Sequence, residues 1–155
     1  NTANNGGSPS ANNLTNPSGA AVDSSGNLYI TDRGNSRVLY YPSGSTTATR
    51  VYGQLGSFTS NTVNNGGASA NTLNNPLGIT LDKTGNLYVA DYYNNRVLYY
   101  PPNSTAASLV FGQTNFTGNA PGTTATTLNT PRGVAVDSAN RLYIMDNVNS
   151  RVLGY

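Results

Sequence analysis

Short runs of β-branched and aromatic residues recur along this chain, separated by clusters of Gly, Pro and Asn. Within several runs, large apolar and smaller or polar residues alternate, as in the LYIT, LYVA and LYIM segments. A period near two, bounded by turn formers, predicts strands; the 3.6-residue period of a helix is missing. The runs fall into groups of four. The first, at Gly19 to Asp23, Gly78 to Asp82 and Gly133 to Asp137, is small and apolar throughout, as expected of a strand buried on both faces. The second spans Asn27 to Asp32 and its equivalents, and the third is Arg37 to Tyr41, Arg96 to Tyr100 and Arg151 to Tyr155. The fourth, Thr49 to Gly53 and Ser108 to Gly112, has no counterpart in the last group. A tight hairpin joins the first two runs. Gly26 and Gly85 stand where it needs a positive φ, and the third group has Asn140 there, the best non-glycine substitute.

These groups are copies of one another. Pro17 to Tyr41, Pro76 to Tyr100 and Pro131 to Tyr155 align without a gap, each 25 residues long. A second block, Ala48 to Thr72, matches Ala107 to Thr127, and Asn1 to Asn13 match only its second half. A four-stranded unit with a small-residue inner strand, repeated in tandem, is a β-propeller blade. The expected fold is therefore all-β: about three four-stranded antiparallel blades, the third lacking its outer strand. Residues 1–155 form one partial propeller with blade cores at about 17–53, 76–112 and 131–155, joined by long loops at 1–16, 54–75 and 113–130.

The motifs P-x-G-[AIV]-x-[VL]-D, G-N-L-Y-[IV]-x-D and N-x-R-V-L-x-Y give the sequence a family likeness. It resembles the NHL-repeat propellers, in the extended bacterial form of the repeat, across about half of the residues. The third unit departs in one turn. The resemblance implies fold more than function. It also implies a usual count of six blades, which two copies of this chain supply.

Composition narrows the chemistry. Of 155 residues only 9% are charged, against roughly 25% in an ordinary domain, and Asn, Thr, Ser and Gly provide nearly half of the chain. His, Cys, Trp and Glu are all missing. Thiolate nucleophiles, imidazole bases and Cys/His zinc sites are thereby excluded. A net charge of +2, with three of the eight basic residues in the repeat and the others dispersed, argues against nucleic acid. No apolar run approaches the roughly 18 residues of a membrane helix, and no insertion is expected. Asn1 in place of an initiator Met suggests a mature or excised piece.

All six acidic residues occupy two repeated positions. Asp23, Asp82 and Asp137 open the hairpin, where a carboxylate accepts turn N–H groups. Asp32, Asp91 and Asp146 lie five residues before Arg37, Arg96 and Arg151, a spacing that suits a pair. Paired carboxylates can serve glycoside hydrolysis or hold calcium. A residue needed once per blade is, however, needed by the blade. No catalytic residue, metal or cofactor is expected, although some propellers of this type are enzymes. The Asn-Gly and Gly-Gly stretches at Asn5 to Gly7 and Asn65 to Gly67 lack the Lys-Ser/Thr of a phosphate loop.

Positions that differ between units are better binding candidates. Arg33 becomes Tyr92 and Asn147, Gly34 becomes Tyr93, and Ser18 and Leu77 give way to Arg132. Arg33, Tyr92, Tyr93, Arg132 and Asn147 are thus the candidate rim residues. The expected function is a non-catalytic scaffold or interaction module, extracellular or on the cell surface, whose chain self-associates. A dimer closing a six-bladed ring is the simplest assembly, and filaments through the free strand edge, or completion by a longer chain, are the alternatives. A glycan or other ligand held by loop Tyr and Arg residues is the second reading, and an enzyme the third.

Overall fold

The computed structural model describes residues 2–3 and 8–155. The Asn5 to Gly7 stretch lies outside the described residues. Strands β1 (Thr2–Ala3) and β2 (Asn13–Leu14) pair in parallel within the first long loop. The first blade is an antiparallel meander of β3 (Pro17–Val22), β4 (Leu28–Asp32), β5 (Arg37–Tyr41) and β6 (Arg50–Tyr52). The second repeats it with β7 (Ile79–Leu81), β8 (Leu87–Asp91), β9 (Arg96–Tyr100) and β10 (Leu109–Phe111). The third has three strands, β11 (Pro131–Val136), β12 (Leu142–Asp146) and β13 (Arg151–Gly154).

Local chemistry explains the turns. Gly26, Gly85 and Asn140 have φ of 79°, 86° and 62°, the left-handed region that the hairpin requires. Between the second and third strands the first two blades carry 3-10 turns at Arg33–Asn35 and Tyr92–Asn94, each closed by a left-handed residue, Ser36 or Asn95.

Successive blades stack face to face. Tyr29, Val38, Tyr40 and Tyr52 of the first blade pack against Leu87, Val89, Leu98 and Tyr100 of the second. Tyr88, Ala90 and Val97 on the opposite side of the second meet Leu142 and Ile144 of the third. Adjacent tyrosines therefore serve opposite faces: Tyr40 lies in the first seam, whereas Tyr41 joins Leu39 and Val51 on the outer side of the first blade.

The inner strands are more open than their apolar sequence predicts. β3 alternates exposed and half-buried positions, and Val22 is 62% exposed. The small side chains serve close approach instead of double-sided burial. A Cβ on Gly19 would stand 2.7 Å from the Leu77 carbonyl oxygen, and one on Gly78 would collide with the Arg132 carbonyl. The Gly78 N–H donates to that same Arg132 oxygen, at 2.9 Å. Gly133 has no following blade, and its Cβ would meet only the flexible Met145 side chain. Gly78→Ala is therefore expected to cost about 1–3 kcal/mol by overpacking a seam, and Gly133→Ala much less. Denaturant melts of the two variants check this; equal losses would contradict the seam geometry.

Candidate functional site

The strand register sets Asp32 opposite Arg37, Asp91 opposite Arg96 and Asp146 opposite Arg151. In each pair the Arg Nε donates to the Asp Oδ2 at 2.7 Å. An Asn inside the turn, Asn35, Asn94 or Asn149, donates to the same oxygen. The other oxygen accepts the backbone N–H of Thr15, Asn74 or Asn129 from the loop entering the blade. The remaining guanidinium donors reach further. Arg37 binds the carbonyls of Ser10 and Asn13 in the incoming loop and of Phe58 in the outgoing one. Arg96 does the same with Ser69, Thr72 and Phe116. Arg151 binds Thr123, Thr124 and Thr127, all in its incoming loop.

Each pair is thus a clamp tying two long loops to its blade. Both carboxylate oxygens are occupied, and Asp32, Asp91 and Asp146 are fully buried. Three hydrogen bonds within the blade and its incoming loop thus fix each carboxylate away from the surface. Burial pushes the Asp91 carboxyl above the ordinary range, against the pull of Arg96, the Asn74 N–H and the Asn94 amide. Ionising it in the folded state therefore costs free energy, and the pair positions loops more than it stabilises the fold.

A second clamp was missed in the sequence. The Gln54 side-chain amide donates to the carbonyls of Asn35, Ser36 and Thr62, and Gln113 donates to Asn95 and Ala120. The recurring Gly-Gln pair was the available signal.

The hairpin acids face inward to their own turns. Asp23 accepts the N–H groups of Ser25 and Asn27 and the Asn27 amide. Asp82 accepts those of Thr84 and Asn86 with the Asn86 amide, and Asp137 pairs with Arg141. Burial opposes ionisation at Asp23 and Asp82, but the side-chain and backbone hydrogen bonds outweigh it and hold both carboxyls below the ordinary value. At Asp137 the Arg141 N–H leads in the same direction.

The pH dependence follows. A carboxyl lowered in the folded state contributes stability above its unfolded pKa of about 3.9 and loses it as pH falls through the folded value. Asp91, raised by burial, acts in the opposite sense. Three lowered groups oppose one raised group, and the chain has no His to titrate between pH 5 and 8. On acidification the melting temperature is expected to hold or rise while Asp91 takes up its proton, and to fall below about pH 4, where the three lowered carboxyls protonate. A decline that starts near pH 6 in circular-dichroism melts would contradict this assignment.

The variable residues share one rim but not one cluster. Arg33, Tyr92 and Asn147 take the same place in three successive blades, and Arg132 begins the inner strand of the third. Tyr92 and Tyr93 touch each other edge to face, with ring centroids 4.7 Å apart. Tyr93, Arg132 and Asn147 are exposed, and Arg33 is half-buried with its Nε unpaired.

A larger feature lies at the two ends of the stack of blades. Met145 and Val152, on the free face of the third blade, are 55% and 62% exposed. At the same repeat positions, Thr31, Val38, Ala90 and Val97 are fully buried in the two internal seams. On the free face of the first blade, Val22 is exposed and Ile30 half-buried, whereas Val89 and Ile144 at the position of Ile30 are fully buried.

Comparison with known proteins agrees with this architecture. A structural-genomics protein of unknown function from Bacteroides thetaiotaomicron superposes with a TM-score of 0.61 at 20% identity, covering 84% of this chain and 32% of its own. Kuenenia stuttgartiensis hydrazine synthase gives 0.57 at 10% identity, covering 90% and 35%. Catalytically inactive virginiamycin B lyase from Staphylococcus aureus with quinupristin gives 0.55 at 15% identity, covering 92% and 43%. The chain thus spans less than half the length of these structures, two of which are enzymes, and at such identities the likeness shows fold alone. No curated protein is similar enough in sequence to count as a match. The NHL repeat matches residues 14–44, 73–100 and 128–155, more than half of the chain. With three repeats matched and three sheets stacked as blades, this chain belongs to the NHL repeat family.

Proposed function

We propose that this chain is a non-catalytic interaction module whose two end faces take up a second copy of itself and close a six-bladed ring. The observation that carries this reading is the contrast between Val152, 62% exposed, and its fully buried equivalents Val38 and Val97. The free face of the third blade has the residue pattern that the first two blades bury against their successors. The free face of the first blade has the pattern that the second and third bury against their predecessors. Two such apolar ends on one soluble molecule form patches that folded proteins tend to cover. The non-catalytic part rests on residue type and symmetry: the chain has no His, Cys or Glu, and every carboxylate repeats in all three blades.

Met145 gives a direct test, because it is the only methionine and sits on the free face. Peroxide converts an accessible thioether to the sulfoxide. Met145 is expected to be protected at high protein concentration and to react freely on dilution. Oxidation at the rate of free methionine at every concentration would overturn the reading.

A further inference from the structure

A cleft of about 420 Å³ opens between the first hairpins of the first and second blades, on the side away from the variable rim. Its size falls within the roughly 300–1,000 Å³ of small-molecule sites. Two carboxylates, Asp23 and Asp82, and two cations, Arg50 and Lys83, line it. The carboxylates are held by their own turns, as described above. The cations are held less tightly: Arg50 helps to lower the Asp23 carboxyl from a distance but makes no ion pair with it. The four ion pairs among the described residues involve Arg37, Arg96, Arg141 and Arg151, and neither Arg50 nor Lys83 takes part in one.

The Arg50 guanidinium lies over the Tyr40 ring, 4.0 Å from its centroid, and Tyr40 is braced edge to face by Tyr29. Stacking occupies the face of a guanidinium and leaves in-plane N–H donors for a carboxylate. Burial, with Tyr29 adding to it, keeps the neighbouring Tyr52 phenol protonated despite the charge of Arg50 and a side-chain hydrogen bond with it, so the cation meets a neutral phenol there and not a phenolate. Ser24 and Asn103 on the wall supply polar groups suited to hydroxyls. The arrangement is also singular within the repeat. At the corresponding places flanking the next seam stand Leu109 and Ser138. A feature that the blade itself needed would recur there.

We infer that this cleft binds a small sugar acid, its carboxylate taken by Arg50 and Lys83 and its hydroxyls by the polar wall. The site is independent of ring closure.

The test is a nuclear magnetic resonance titration of the full chain with D-glucuronate, using D-glucose and sulfate as comparison ligands. Saturable shifts at Arg50 and Lys83 are expected with glucuronate, with sulfate about tenfold weaker and glucose without effect. Arg50→Leu and Lys83→Ser place at each position the residue that another blade already carries, so both variants should melt like the parent chain. Arg50→Leu is expected to weaken glucuronate binding about tenfold or more. Four results would each overturn the proposal: no saturable shift, equal binding by Arg50→Leu, sulfate binding as tight as glucuronate, or glucose binding as tight as glucuronate.

Discussion

Arg96→Leu is expected to remove about 3–5 kcal/mol of folding stability, because it leaves a fully buried carboxylate without its partner. It also strips donors from the Ser69, Thr72 and Phe116 carbonyls, releasing the loops on both sides of the second blade. At roughly 2–4 °C per kcal/mol for a chain of this length, the melting temperature should drop by about 6–20 °C. Arg37→Leu should behave alike, since its pair is equally buried and also holds both flanking loops. Arg151→Leu is expected to cost about half as much or less, because Arg151 is 27% exposed and clamps only the incoming loop. Equal losses at the three sites would mean that loop clamping contributes little.

Val97→Asp and Val152→Asp should differ more sharply, although both put a carboxylate at the same place in the repeat. Val97 is fully buried in the seam between the second and third blades, so the new charge would have to be desolvated without a partner. That variant is expected to lose several kcal/mol and to fold poorly, if at all. Val152 is exposed on the free face, so Val152→Asp should leave the fold of the single chain intact while preventing a second copy from docking there. Circular dichroism reads the first effect and solution mass the second. A Val152→Asp chain that unfolds like Val97→Asp would show that the third blade is not stable with its face open.

Much of this architecture is legible in the residues. The gapless repeat gives the strand order, and Gly26, Gly85 and Asn140 locate the hairpin because so few residue types accept its φ. The five-residue spacing from Asp32 to Arg37 points to a pair because a short turn between antiparallel strands sets those two residues opposite each other. What Arg37 does with its other N–H groups was not legible. Its acceptors are backbone carbonyls 21 to 27 residues away, and any residue type can supply a carbonyl. The inner strands were misread for a related reason: the exposure of Val22 depends on the presence of a blade beside it, which the strand's own sequence does not encode. Arg50 is legible as a departure from the repeat, because Leu109 stands at its place in the second outer strand, but its stacking on Tyr40 is not, since that depends on the register of two strands.

Sedimentation equilibrium of the 155-residue chain tests ring closure most directly, because it reads assembly without any substitution. Ring closure by two copies gives a species of twice the 16.2 kDa chain mass, which Val152→Asp is expected to reduce to a single chain. A well-folded parent chain that stays at 16.2 kDa at every concentration would contradict it.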